Sequence, residues 1–120
     1  MVNQAMKLKL EMVVYYLASQ MIEGYSGGCW KFDEKACAWI PKGNEKHEVS
    51  NCNNYFEGVM DSFTVGLALS ALASNHLSWA AHDKGDMASC RAWNDAYNSA
   101  MVASEQLSEG QAGLFYSFLD

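Results

Sequence analysis

Met6, Leu10, Val13, Val14, Leu17 and Met21 recur at helical spacing, so residues 5–23 are predicted to form an amphipathic helix. Gly24 stands where the C-terminal cap of that helix belongs. Gly24-Tyr25-Ser26-Gly27-Gly28 has turn chemistry, and after it the period falls to two. Cys29, Lys31 and Asp33 alternate with Trp30 and Phe32, the pattern of a half-buried strand. Ala36 to Ile40 reads as its hairpin partner across Asp33-Glu34-Lys35, ended by Pro41, and Lys42-Gly43-Asn44 makes the next turn. Residues 46–51 and 54–59 carry fainter strand patterns around a polar Asn51-Cys52-Asn53-Asn54 turn.

From Asp61 the pattern turns helical again. Asp61 or Ser62 can cap a helix running to about His82, with Val65, Leu69, Leu72, His76 and Trp79 as its apolar stripe. Its other sides are also rich in Ala, Leu and Gly, which predicts a central, mostly buried helix, and His76 on the stripe reads as a core histidine. After Asp83-Lys84-Gly85-Asp86, a third helix shows Met87, Cys90, Trp93, Tyr97, Ala100, Met101 and Ser104 on one face. Ser108 with Gln111 matches a capping box and opens a last helix through Leu114, Phe115 and Phe118. The order α-β-β-β-β-α-α-α predicts an α+β single domain over residues 1–120, a small antiparallel β-meander packed with about four helices.

Composition fits that picture. Half of the 120 residues are hydrophobic and 18% are charged, which excludes a disordered chain, and the length leaves room for one core of about 14 Å radius of gyration. Net charge is −6. Residues 1–46 carry five acids and six bases, whereas residues 47–120 carry nine acids against Lys84 and Arg91. A nucleic-acid binder needs a Lys/Arg stripe, so direct nucleic-acid binding is not expected. The acids are interspersed with bases and too diffuse for a protein that imitates DNA. No secretory signal or membrane-spanning run is visible, and the four cysteines (Cys29, Cys37, Cys52, Cys90) are expected as reduced thiols in a cytoplasmic protein. Two disulfides would have three possible connectivities.

The candidate chemistry is thin. Gly24-Tyr25-Ser26-Gly27-Gly28 fits G-x-S-x-G, but a nucleophile elbow needs a strand before it and a helix after it, the reverse of the order here. Cysteine and histidine spacings contain no close chelating pair, and on one helix His76 and His82 differ by about 240°. No metal or cofactor is expected. A Cys29–His47 or Cys52–His47 nucleophile pair is open to sequence reasoning and would need hydrogen-bond reach and an orienting third group. A small thiol or serine hydrolase using Ser26, or Cys29 with His47, is therefore the alternative of a different class.

Four blocks add what periodicity cannot. Tyr25-Ser26-Gly27-Gly28-Cys29-Trp30-Lys31-Phe32 resembles the Y-x-G-G-x-W-x-F segment of the ArdB/KlcA antirestriction family. Asn54-Tyr55-Phe56-Glu57-Gly58-Val59-Met60-Asp61-Ser62 is similar to the stretch that leads into that family's Ala/Gly-rich helix. Gly66, Leu72 and Asn75-His76-Leu77-Ser78 match the helix itself, and Leu114 to Asp120 resembles the family's ending. Departures fall at Asp33 to Ile40 and at Thr64-Val65, which makes this a diverged member.

The resemblance implies a non-enzymatic protein of a mobile element or phage, relieving restriction by host type I restriction-modification enzymes through a protein partner. Another nuclease defence, such as a CRISPR effector, is the alternative target, and a relic without activity is a third possibility. It also implies that Tyr25, Gly28, Trp30, Gly58 and Gly66 define the fold. The expected partner surface is acidic: Asp33, Glu34, Glu57, Asp61, Asp83 and Asp86.

Overall fold

The computed structural model describes residues 2–120. Helix α1 spans Gln4–Met21, and Asn3 caps it by accepting from the Met6 amide at 2.9 Å. It ends earlier than the apolar pattern suggests, and Gly24 is not its cap. Ile22 leaves the helix in an extended conformation and bridges Val49, and the Glu23 amide donates to the Glu48 carbonyl at 2.9 Å. Gly24, with φ +71°, then closes a turn in which the Tyr25 amide reaches the Ile22 carbonyl at 3.3 Å. A positive φ at the third position of such a turn favours glycine.

Two hairpins follow. β1 (Trp30–Asp33) pairs with β2 (Ala38–Pro41), and β3 (Lys46–Asn51) pairs with β4 (Phe56–Asp61), both antiparallel. The α+β class holds, but the strands make two separate two-stranded sheets instead of one meander. β2 and β4 each begin two residues later than expected, because both hairpins close through the same longer loop. In one, Asp33 Oδ1 accepts from the Ala36 amide at 3.0 Å, and in the other Asn51 Oδ1 accepts from the Asn53 amide at 3.1 Å. Each loop then ends on a left-handed non-glycine residue, Cys37 at φ +53° and Tyr55 at φ +59°.

The sheets stay apart because α2 (Ser62–Asp83) takes the edge of β2 that a third strand would need. The Ser70 hydroxyl accepts from the Trp39 amide at 3.0 Å and lies 3.5 Å from the Trp39 carbonyl. One helical turn earlier, a Cβ on Gly66 would stand 2.6 Å from Ile40 Cδ1 and 2.7 Å from the Trp39 carbonyl oxygen. The helix and strand therefore pack backbone to backbone. Pro41, the last residue of β2, points its donorless nitrogen the same way as Trp39, where no partner strand is needed.

Helix α2 is the centre of the core. From Thr64 to Ala71 every residue is buried, so no single stripe describes it. Beyond Ser74 only Leu77, Ser78 and Ala81 remain buried, which leaves His76 and Trp79 exposed. The reading of His76 as a core residue is thus corrected: the helix has by then run past the layer beneath it. Helix α3 (Met87–Ala103) packs along α2 through Cys90, Trp93, Ala96, Ala100 and Ala103, and passes through a 3₁₀ turn at Ser104–Gln106. The Cα radius of gyration is 13.4 Å.

Helix α4 (Glu109–Leu119) covers the inner side of β3–β4, with Phe115 and Phe118 fully buried. Ser108 caps it, accepting from the Gln111 amide at 3.3 Å, but the reciprocal half of a capping box is absent. Gln111 Oε1 instead accepts from the Asp61 amide at 3.0 Å, across 50 residues of sequence. At the other end, Asn51 and Asn54 donate to the Phe118 carbonyl at 3.1 and 3.0 Å. The last carbonyls of α4 are satisfied by the β3–β4 turn.

Gly66→Ala should lower unfolding free energy by about 1–3 kcal/mol in urea titration, since backbone atoms cannot yield to the new methyl. Gly113→Ala, mid-helix with nothing within 4 Å of its added Cβ, should raise it by about 0.5–1 kcal/mol.

Candidate functional site

Among the described residues no hydrogen bond joins the members of the hydrolase considered above. Ser26 is exposed in the loop that runs from helix α1 to strand β1, the reverse of a nucleophile elbow. Cys29 and Cys52 are exposed, Cys37 and Cys90 are buried, and all four are unpaired. His47, half-buried on β3, is bonded through Nε2 to Ser62 Oγ at 3.1 Å, and no hydrogen bond joins it to a cysteine among the described residues. Ser62 is the first residue of α2 and buried, and no described cavity is lined by it, so this pair ties the helix start to β3. Sequence reasoning missed it; the only signal was His47 on the inward side of an alternating strand. Among the described residues no group of three or more His, Cys, Asp or Glu could hold a metal ion. His76 and His82 are both exposed, His82 against the edge of Trp79 at 5.6 Å.

The residues read as fold-defining fall into two kinds. Trp30 is buried between Tyr15 and Tyr25, edge to face at 5.6 and 6.3 Å. Burial first, and then the bond to Glu11, raises the Tyr15 hydroxyl above its usual range, so it stays a donor. Gly58 and Gly66 are needed for space: a Cβ on Gly58 would lie 2.8 Å from the Phe56 ring and 2.9 Å from Leu114. Gly28 is needed for its φ of +140°, with open space around it.

The six acidic candidates sit in three places and mostly serve the fold. Asp33 closes the β1–β2 loop, and Glu34 pairs with Lys7, whose ammonium also lies 5.0 Å from the centre of the Phe32 ring. Asp61 caps α2, accepting from the Thr64 amide at 2.8 Å, and Asp86 caps α3, accepting from the Ser89 amide at 3.1 Å and hydroxyl at 2.7 Å. Asp83 is exposed beside His82, and Glu57 is exposed on β4. The structure adds partners for Glu57 that the candidate set left out. Glu23, Glu48 and Glu57 surround a groove of about 340 Å³ on the outward side of β3–β4, with Val59 beside them. The alternation Lys46, Glu48, Ser50 was the available signal.

No protein-family model matches the chain. It is similar to YubI of Escherichia coli (strain K12), a candidate antirestriction protein, with 34% identity over 83 residues, 67% of this chain and 58% of that protein. The chain thus spans under two thirds of the length of that relative. Its structure is similar to a solved structure of the KlcA and ArdB proteins at a TM-score of 0.78 and 19% identity, covering 100% of this chain and 92% of the other. Those proteins are described as a novel fold with antirestriction activity against type I DNA restriction systems in vivo but not in vitro. At that identity the likeness establishes the fold.

Titration with a thiol reagent should modify Cys29 and Cys52 in the native protein, while Cys37 and Cys90 react only on unfolding. Burial holds the Cys37 thiol above its usual pKa, so raising the pH within the native range should not expose it to attack. Asp86→Ala should lower the melting temperature at neutral pH, with the difference shrinking in acid. The Ser89 hydroxyl, then the Ser89 amide, holds the Asp86 carboxyl below the usual 3.8, so its contribution is full above that value and fades as pH falls through the lower one.

Proposed function

Taking the chain as ArdB/KlcA-like, which its fold and its match to YubI both support, we propose that it is an antirestriction protein. It relieves restriction of incoming DNA by host type I restriction-modification enzymes, in the cytoplasm and without catalysis. The observation that carries this reading is the likeness of fold over the whole chain to proteins with that activity in vivo. Among the described residues His47 bonds Ser62 Oγ, and no hydrogen bond joins it to Cys29.

The partner is a host protein of the restriction machinery. A DNA-handling enzyme presents basic surfaces, and the −6 charge of this chain steers encounter with them. Asp33, Glu34, Glu57, Asp61, Asp83 and Asp86 contribute to that field. Caps and turns hold Asp33, Asp61 and Asp86 at fixed positions, so their charges are oriented at little entropic cost. Imitation of DNA is no part of this reading: these carboxylates are split between two turns and strand β4, with Lys7 paired to Glu34 and Lys46 opposite Asp61.

Living cells are the place for the test, because the solved relatives are described as inactive in vitro. Unmodified phage plated on isogenic hosts carrying a type I system, a type II system, a CRISPR system or none should be rescued only on the type I host. Ser26→Ala and Cys29→Ala should leave rescue unchanged. Rescue confined to the CRISPR host would move the target, and loss of rescue in either variant with the fold intact would favour an enzyme.

A further inference from the structure

The open edge of β4 points to a docking site. The Glu48 carbonyl accepts from Glu23, so it faces away from β4, and the Glu48–Val59 pair is one whose members do not bond each other. By alternation the Ser50–Glu57 and Lys46–Asp61 pairs are of the same kind. The main chain of Glu57, Val59 and Asp61 therefore points off the outer edge. Gln111 takes the Asp61 amide, but the N–H and C=O groups of Glu57 and Val59 have no partner among the described residues. The other edges are managed: α2 covers β2, Ile22 and Glu23 cover β3, and β1 is only four residues long. Between Phe56 and Asp61 there is no lysine, proline or bulge to blunt β4.

The side chains around this edge select an occupant. Tyr55 is 91% exposed at the strand's start and Val59 is 47% exposed, two apolar contacts flanking Glu57. Glu48 and Glu23 stand across the adjoining groove, and Lys46, the one cation on these two strands, lies at the far end opposite Asp61. A nucleic acid would meet three carboxylates. A second copy of this chain pairing edge to edge would set acidic strands against each other. We propose that the outer edge of β4 receives an extended segment of the partner protein as an added strand, with basic side chains facing Glu48 and Glu57. This deepens the reading above and rests on it for the partner being a protein.

The test uses the full chain and a short peptide of alternating lysine and valine, with a glutamate–valine peptide as control, followed by NMR amide exchange. The lysine peptide should protect the Glu57 and Val59 amides, add nothing to Gly58 or Met60, and bind more weakly as salt rises. Val59→Pro removes an edge donor outside the ladder and should weaken binding about tenfold, the size of one or two hydrogen bonds. Should that variant not fold, Glu48→Gln with Glu57→Gln should weaken binding and flatten its salt dependence. No binding, binding without protection of Glu57 and Val59, or equal binding of both peptides overturns the proposal. In cells, Val59→Pro should lower phage rescue by a similar factor at matched expression, and rescue equal to that of the unaltered protein also overturns it. Absence of rescue by the unaltered protein instead overturns the antirestriction reading, and the peptide result then stands by itself.

Discussion

The architecture depends on one contact, the Trp39 main chain held by the Ser70 hydroxyl across the gap that Gly66 leaves open. A helix cannot ordinarily complete a strand, because its own amides and carbonyls are already bonded to each other. Here one side chain supplies the missing partner, and the absent Cβ one turn away lets the two backbones approach. The contact removes the edge that could have joined the two hairpins. It also explains why α2 is buried on all sides near its start, with β2 on one side and α1, α3 and α4 on others. The Trp39 indole extends the same clasp by donating to the Lys7 carbonyl of α1 at 3.1 Å.

Acidic residues have a double life in this molecule. Asp61 and Asp86 begin helices, where a carboxylate satisfies orphan amides and meets the positive end of the helix dipole. Asp33 shapes a hairpin and Glu34 is neutralised by Lys7. Three further acids, Glu23, Glu48 and Glu57, gather on the outward side of β3–β4, while Asp83, Asp95, Glu105 and Glu109 are exposed elsewhere. Glu48 and Glu57 reach that surface by strand alternation, and Glu23 by the turn that follows α1.

What could be read from the sequence followed the range of the interactions concerned. The caps at Asp61 and Ser108 act within three residues, and they marked the starts of α2 and α4 correctly. β3 was legible to its ends because its inward and outward positions alternate without interruption. The loops before β2 and β4 were not, because Asp33 and Asn51 draw following residues into a wider turn than residue types alone suggest. Period-based reading of α2 failed beyond Ser74, where the neighbouring layer ends and His76 emerges. Gln111, Asn51 and Asn54 looked like ordinary capping and turn residues, and their partners lie 50 to 67 residues away. The acidic candidate set contained Glu57 but not Glu48, which the alternation along β3 marks as outward, nor Glu23, which no local pattern brings beside β3.

The asparagines that close α4 have a kinetic side. During synthesis, the β3–β4 hairpin emerges long before the helix that covers it, and until then the Asn51 amide and the Phe56 ring face water. The hairpin alone is too small to be stable. Its native register is thus held in waiting by α1 and α2, and the closing step is a long-range docking event, slower than local hairpin or helix formation. A nascent chain halted before Gln111 would present the inner side of the hairpin as well as its open edge.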